Sequence, residues 1–343
     1  SCFRGRLASA GDYFVWVADR DGDQPRIGDD DEGRVLYHDG APDSYVNSIM
    51  SCISALLGRN DLAPPIGVLS FRNILFGRVE PYNKVKNGLR TFEEGGYTAY
   101  RAVRGERENM LLFDHGPLGY LSIAAHGHAD ALSVWLHVDG QPVLVDSGTY
   151  LYHSGGEWRD YMRSTVAHNT LAINGESTSR ISGPFNWSKK ANSKLLHSKT
   201  DGDCFVVTAE HDGYSQTHGT VHRRTIESGR FGEYLITDVL VGGDTPFDVE
   251  IGFLLNPALT VKQTAEGFDI FRKGNSRVIK IINSSEELAA NLQFGSDKPA
   301  GGWYSDKFNS KKPAYRLVFS GVIRAGTKSV TRILTAVTEA TAC

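Results

Sequence analysis

From about Thr91 onward the chain is a succession of short alternating apolar runs cut by Gly, Asn and Asp. Y-T-A-Y-R-A-V-R (97–104), N-M-L-L-F-D (109–114), L-S-V-W-L-H-V (132–138), P-V-L-V-D (142–146), N-T-L-A-I (169–173) and C-F-V-V-T-A (204–209) set the pattern. E-Y-L-I-T-D-V-L-V (233–241), F-D-V-E-I-G-F-L-L (247–255), R-V-I-K-I-I (277–282), Y-R-L-V-F-S-G (315–321) and V-T-R-I-L-T-A-V (330–337) continue it. A period of two sends successive side chains to opposite faces, so each run reads as a strand. Asp139-Gly140 and Asn174-Gly175 are type I′ hairpin turns by composition. So many strands, with almost no helical periodicity between them, predict a mainly β fold built on a large antiparallel β-sandwich.

Residues 1–88 have a different texture. In Y-V-N-S-I-M-S-C-I-S-A-L-L, Val46, Ile49, Met50, Ile53, Leu56 and Leu57 fall at helical spacing, with Gly58 as C-cap and Pro64-Pro65 as a stop. D-Y-F-V-W-V-A-D also reads as helical, and a second short helix is expected between Ile66 and Leu75. Two or three helices are few for an independent domain, so the boundary is drawn between a helical segment, 1–88, and a sandwich, 89–343. A net charge of −3 over 343 residues argues against nucleic-acid or membrane-surface binding. No run of eighteen apolar residues would cross a membrane. Cys2, Cys52, Cys204 and Cys343 lie far apart and offer neither a cysteine zinc site nor a disulfide framework. Asp19, Asp21 and Asp23 alternate as in a calcium loop, but Gln24 and Asp30 stand where Gly and Glu belong, so an exposed acidic loop is expected. Ser147 lacks the G-x-S-x-G context of a nucleophile.

The chemistry concentrates in A-H-G-H-A-D, Ala125 to Asp130, and V-D-S-G-T-Y, Val145 to Tyr150. The Asp139-Gly140 turn sets Val138 opposite Gln141 and, with an unbroken register, Ser133 opposite Asp146. His126, His128 and Asp146 then gather at the hairpin end remote from the turn, and His168 opens the following strand. His126 and His128 share a parity, which in extended chain points both to one face. Two His and one Asp suit an open zinc shell. A catalytic acid/base, or polar residues that merely end strands, fit the same spacing.

H-G-H-A-D, V-D-S-G-T-Y and R-D-Y-M-R-S-T-V-A-H-N-T-L-A-I-N-G together resemble the C-terminal β-sandwich of the heparinase II/III-like polysaccharide lyases. R-I-G-D-D-D-E-G-R before them and G-F-L-L-N-P after them extend the likeness. The resemblance implies an α/α toroid ahead of the sandwich, with a substrate cleft between the two. It implies that His128, Asp146 and His168 hold zinc and that His126 faces substrate. A tyrosine after the V-D-S-G motif would line the cleft, from among Tyr150, Tyr152 and Tyr161, with Tyr150 and Tyr161 taken as the catalytic candidates. It implies a periplasmic or secreted location. Residues 1–88 have room only for the last helices of such a toroid, so the chain is expected to be a piece that lacks part of its site.

The implied reaction is β-elimination on an acidic, uronic-acid-bearing glycan such as a glycosaminoglycan or alginate. Arg159 and Arg163 flank Tyr161 and are expected to lower its pKa and to meet substrate. Phe185 and Trp187, among basic residues in R-I-S-G-P-F-N-W-S-K-K, are candidates for stacking on sugar, Trp187 above all. H-G-T-V-H-R-R at 218–224 reads as solvated charges at a strand end. Two other classes fit the same residues: a non-catalytic carbohydrate-binding or structural sandwich with a structural metal, and a metal-dependent hydrolase.

Overall fold

The computed structural model describes residues 2–30, 45–82, 84, 86–202, 204–274 and 276–335. The segment 31–44, which completes R-I-G-D-D-D-E-G-R, lies outside them, as do Cys343 and the last two residues of the run at 330–337. Two β layers face each other. One is an eight-stranded antiparallel sheet in the order Thr260–Gln263, Gly267–Phe271, Arg277–Asn283, Lys328–Thr335, Glu233–Val241, Val221–Ser228, Cys204–His211 and Ser193–Asp201. The other combines two antiparallel sheets: Gly88–Phe92, Tyr97–Arg104, Arg107–Asp114, Val134–Val138 and Pro142–Leu144; and Leu288–Phe294, Tyr315–Ile323, Phe247–Leu254 and Leu171–Ile173. A bridge between Leu144 and Leu255 joins these two. The expected sandwich is the fold.

Alternation explains the core. Along Glu233–Val241, Tyr234, Ile236 and Leu240 are buried, while their neighbours in sequence are at least partly exposed. Leu111, Phe113, Val134, Leu136 and Val138 meet them from the opposite layer in one continuous apolar cluster. Burying a side chain of this size stabilises by about 1.5–3 kcal/mol. Val134–Val138 is buried on both faces, because Ala99, Leu112 and Trp135 turn outward and pack against Val17 and the partly buried Tyr13, Phe14 and Trp16.

Those residues belong to, or directly end, the helix Cys2–Val17, which packs on the helix Tyr45–Leu57 through Val15, Met50, Ile53 and Leu62. Gly58 follows the second helix with φ +66, and the short helix Phe71–Phe76 falls near its expected place. Polar contacts bolt the helical segment to the sheet. Arg101, buried and paired with Glu108, donates to the carbonyls of Val15 and Ala18, which the end of the first helix leaves without partners of their own. Asp19 is buried rather than part of an exposed acidic loop. One carboxylate oxygen accepts from the amides of Asp21 and Asp23, and the other lies 2.7 Å from His137 Nδ1.

Asp139 and Gly140 adopt φ +57 and +72, and Asn174 and Gly175 φ +52 and +68, the left-handed pairs that I′ turns need. The register beyond the first turn differs from expectation. His137 pairs with Pro142, but Leu136 pairs with Leu144, so one extra residue bulges between them. The ladder ends there, and the Val145 amide turns to the Leu254 carbonyl. Asp146 is therefore set by its contacts with the neighbouring sheet and not by a partner at Ser133. H-G-T-V-H-R-R is also corrected: His222 and Arg224 point inward from Val221–Ser228 and are fully buried. His222 Nε2 lies 2.7 Å from Asp238, and Arg224 pairs with both oxygens of that carboxylate at 2.7 and 3.0 Å.

Candidate functional site

The H-G-H segment leaves the regular sheet altogether. Leu121, Ala124, His126 and Leu132 all have φ between +54 and +62, so the chain around it is a run of tight turns. Non-glycine residues held there cost on the order of 1–3 kcal/mol each, and persist only where surroundings over-determine them. The parity argument for His126 and His128 consequently fails, and they occupy different environments. The His126 side chain is 52 % exposed; that of His128 is completely buried.

His128 meets Asp146 and His168 inside the protein. Their ligand atoms lie within 4.8 Å of one another, and each residue is at most 2 % exposed. His168 Nδ1 lies 2.6 Å from Asp146 Oδ2, and the Gly148 amide donates to Oδ1 at 2.8 Å. His128 Nδ1 and His168 Nε2 are buried without a hydrogen-bond partner among the described residues. Two orphaned imidazole nitrogens beside a carboxylate, whose oxygens each keep a lone pair, are what a metal-binding donor set requires. Burial would raise the Asp146 pKa, but the charge and hydrogen bond of His168 outweigh it and hold it below the ordinary value. Burial would lower His168, and Asp146 outweighs it in the opposite direction.

Asn169 fixes the cluster from behind. Its side-chain amide donates to the carbonyls of Val134 and Val145, and its oxygen accepts from the Leu254 amide at 2.7 Å. Arg224 donates to the carbonyls of Leu132 and Asn169 at 2.8 and 2.7 Å. Both sheets therefore brace the two segments that carry the histidines.

Asp29 was not among the expected site residues, although the G-D-D-D-E likeness pointed at its loop. Its carboxylate is fully buried between His128 Nε2, 3.0 Å from Oδ1, and His126 Nδ1, 3.5 Å from Oδ2. Arg159 closes on both oxygens, its Nη2 at 2.7 Å. Burial would raise Asp29, but His128 and Arg159 hold it well below the usual carboxylate range.

The arginines and aromatics correct several expectations. Arg159 and Arg163 are buried in the short helix Glu157–Arg163 and are committed within the protein rather than presented to substrate. Arg159 donates to the Pro184 carbonyl and lies over the rings of Tyr152 and Phe185; Arg163 donates to the Gly183 carbonyl and lies over Trp187. Together they hold down the hairpin of Arg180–Gly183 and Asn186–Lys189, and Trp187 serves as a lid on Arg163. Neither arginine lowers the Tyr161 pKa, because residues two apart on a helix point to opposite sides. Tyr161 instead packs with Met162 and Ala167, with Trp158 and Trp303 against them. Burial pushes its phenol up to about 12. Tyr150 is partly exposed, lies 6.4 Å from Trp158 between ring centroids and packs against the same cluster.

Comparison with known proteins supplies the family. The model of the heparinase II/III-like C-terminal domain matches residues 84–332. The chain belongs to the heparinase II/III-like family. No curated protein matches it. Among solved structures it is similar to a heparinase III (TM-score 0.72, 15 % identity, 98 % of this chain and 49 % of that one). It is also similar to the heparan sulfate lyase HepC of Pedobacter heparinus (0.65, 13 %, 93 % and 45 %). A third is the heparinase III BT4657 gene product (0.65, 14 %, 94 % and 45 %). The heparinase II/III-like chain described here spans just under half the length of each. At these identities the likeness is one of fold.

Proposed function

We propose that this chain provides the sandwich side of a polysaccharide-lyase active site that cleaves an acidic, uronic-acid-bearing glycan by β-elimination. The observation that carries the reading is the division of labour in H-G-H: a buried His128 within a metal-ligand set, and a solvent-facing His126 two residues away. Abstraction of the proton α to a uronate carboxylate leaves negative charge that spreads onto that carboxylate as an enolate, so donors aimed there lower the barrier. The half-exposed His126 imidazole is the group placed to take that proton or return one to the departing glycosidic oxygen. Tyr150 is the second group on this side of the cleft. The remaining partners, including those that neutralise the carboxylate, are assigned to an upstream toroid.

Zinc is the metal we assign to His128, Asp146 and His168, since imidazole and carboxylate ligands suit it. When bound, it would supply a positive charge that ties His128, Asp146 and His168 together and so holds the H-G-H turn. Because all three ligands are buried, the sugar does not reach that centre, and the role is to order His126 rather than to polarise substrate. The same burial favours a second reading, a structural metal in a sandwich that binds glycan without cleaving it.

The test is to incubate the chain, and a longer form with the upstream domain, with several polyuronates while following the ultraviolet absorbance of the unsaturated product. The lyase reading expects that signal from the longer form at least, and its loss in His126→Ala. No signal from either form, with glycan binding retained, would establish the second reading. New reducing ends without the chromophore would indicate a hydrolase.

A further inference from the structure

We propose that Asp29 is a positioning residue that makes the two histidines of H-G-H unequal, fixing the tautomer of His128 through its carboxylate and the backbone of His126 through its amide. The metal part of this inference rests on the zinc reading above. Both Asp29 oxygens are engaged and the side chain is fully buried, so its geometry is dictated by His128 and Arg159 together. An ionised carboxylate only accepts, so the shared proton sits on His128 Nε2. That leaves the lone pair on Nδ1, the buried nitrogen that has no partner among the described residues. Arg159 holds the same carboxylate through both oxygens and so fixes its position behind His128. A carboxylate behind a ligating histidine sets both ring orientation and basicity.

The main chain does the second job. The Asp29 amide donates to the His126 carbonyl at 2.9 Å, and His126 has φ +57. Gly28, at φ +62, lies so close to that carbonyl oxygen that a Cβ would collide with it. One residue from the helical segment thus fixes the metal-facing histidine by its side chain and the substrate-facing one by its backbone. The contacts span 99 and 130 positions to His128 and Arg159.

Nitrogen-15 NMR of the metal-free protein reads the tautomer directly, and zinc affinity is measured by competition with a chelator. In the wild type His128 should be a single Nε2–H tautomer. Asp29→Ala should give mixed tautomers and zinc binding about 10–100-fold weaker. Asp29→Asn, which keeps an accepting oxygen but no charge, should restore the tautomer and part of the affinity. If Asp29→Ala fails to fold with Arg159 left unpaired, Asp29→Leu with Arg159→Met removes both charges and should show the same loss. An unchanged tautomer, with affinity within about threefold of wild type on the same scale, would overturn the proposal and leave Asp29 as a counter-ion for Arg159. If the wild type takes up no zinc, the zinc reading fails, and the tautomer alone decides the role of Asp29.

Discussion

Replacing Arg224 with methionine tests whether the buried charge network behind the site is as consequential as its geometry implies. Arg224 is fully buried, holds both oxygens of Asp238 and donates to the carbonyls of Leu132 and Asn169. Methionine fills a similar volume but leaves Asp238 as a buried charge short of its main partner. Breaking a buried pair in this way costs about 3–5 kcal/mol. The two stranded carbonyls add about 1–3 kcal/mol each if no water reaches them. These contributions share one site and do not sum, so a loss of at least about 4 kcal/mol is expected, a large share of the roughly 5–15 kcal/mol that a domain typically has. Guanidinium unfolding should show it as a lower midpoint at constant slope. A cycle with Asp238→Leu isolates the interaction: the double variant should be more stable than the sum of the single losses by more than about 1.5 kcal/mol.

The deficit should also depend on pH. His222 is held below its ordinary pKa by burial and by the Arg224 charge, while Asp238 pulls it upward. Removing Arg224 takes away one of the two effects that lower it and so moves the His222 pKa upward from its wild-type position. A depressed folded pKa costs stability as pH falls below the unfolded value, about 6.5, and that cost shrinks when the depression is relieved. The variant should therefore be least impaired near pH 5–6. A loss below about 1 kcal/mol, which is the worth of an ordinary hydrogen bond, or single losses that add without coupling, would refute the reasoning.

Burial lowers His115, whose Nε2 lies 2.9 Å from Thr98 Oγ1, from 6.5 to about 4. A depressed folded pKa means the unfolded chain binds the proton first, so stability should fall as pH drops from about 6.5 to 4, by up to roughly 3 kcal/mol, and His115→Gln should flatten that slope. His128→Ala should lose zinc and lower the melting temperature, whereas His126→Ala should keep both and lose turnover; zinc retained by His128→Ala would break the ligand assignment. Gly148→Ala, at φ +75 with its Cβ driven into the Ser305 carbonyl, should destabilise by more than about 1 kcal/mol and weaken zinc binding by displacing the amide that holds Asp146. Tyr161→Phe should leave turnover of the active form unchanged and Tyr150→Phe should reduce it, measured as initial rates of unsaturated-product formation.

The sandwich was legible along most strands with one face on the apolar core, although Gly267–Phe271, which buries Phe268 and Ile270 there, was not read as one. Tyr97–Arg104 and Glu233–Val241 are strands over the residues their alternation marks. Val221–Ser228 escaped because its inward positions include His222, Arg224 and Ser228, so a buried polar network takes the place of the apolar signal. Ser193–Asp201 escaped for the opposite reason: it is a largely exposed strand at the edge of its sheet, and nothing requires it to alternate. At the site, local spacing placed His126, His128 and Asp146 at one end of a hairpin even though a bulge altered the register that suggested it, and the resemblance singled out His128, Asp146 and His168. It could not reveal that His126 is left-handed, that Arg159 and Arg163 turn inward, or that Asp29 reaches them from the far end of the sequence. Those facts depend on chain segments that only the finished fold brings together.

The long reach between Asp29 and Arg159 also has a consequence in time. A contact 130 residues apart in sequence is costly to close while the intervening chain is loose, and nearly free once the two layers and the helices have docked. The carboxylate therefore finds its guanidinium near the end of folding. A preparation can show complete strand content and cooperative melting while this last junction is still open. For such molecules, hydrogen exchange at the Asp29 amide would be a more faithful gauge of readiness than any measure of the fold as a whole.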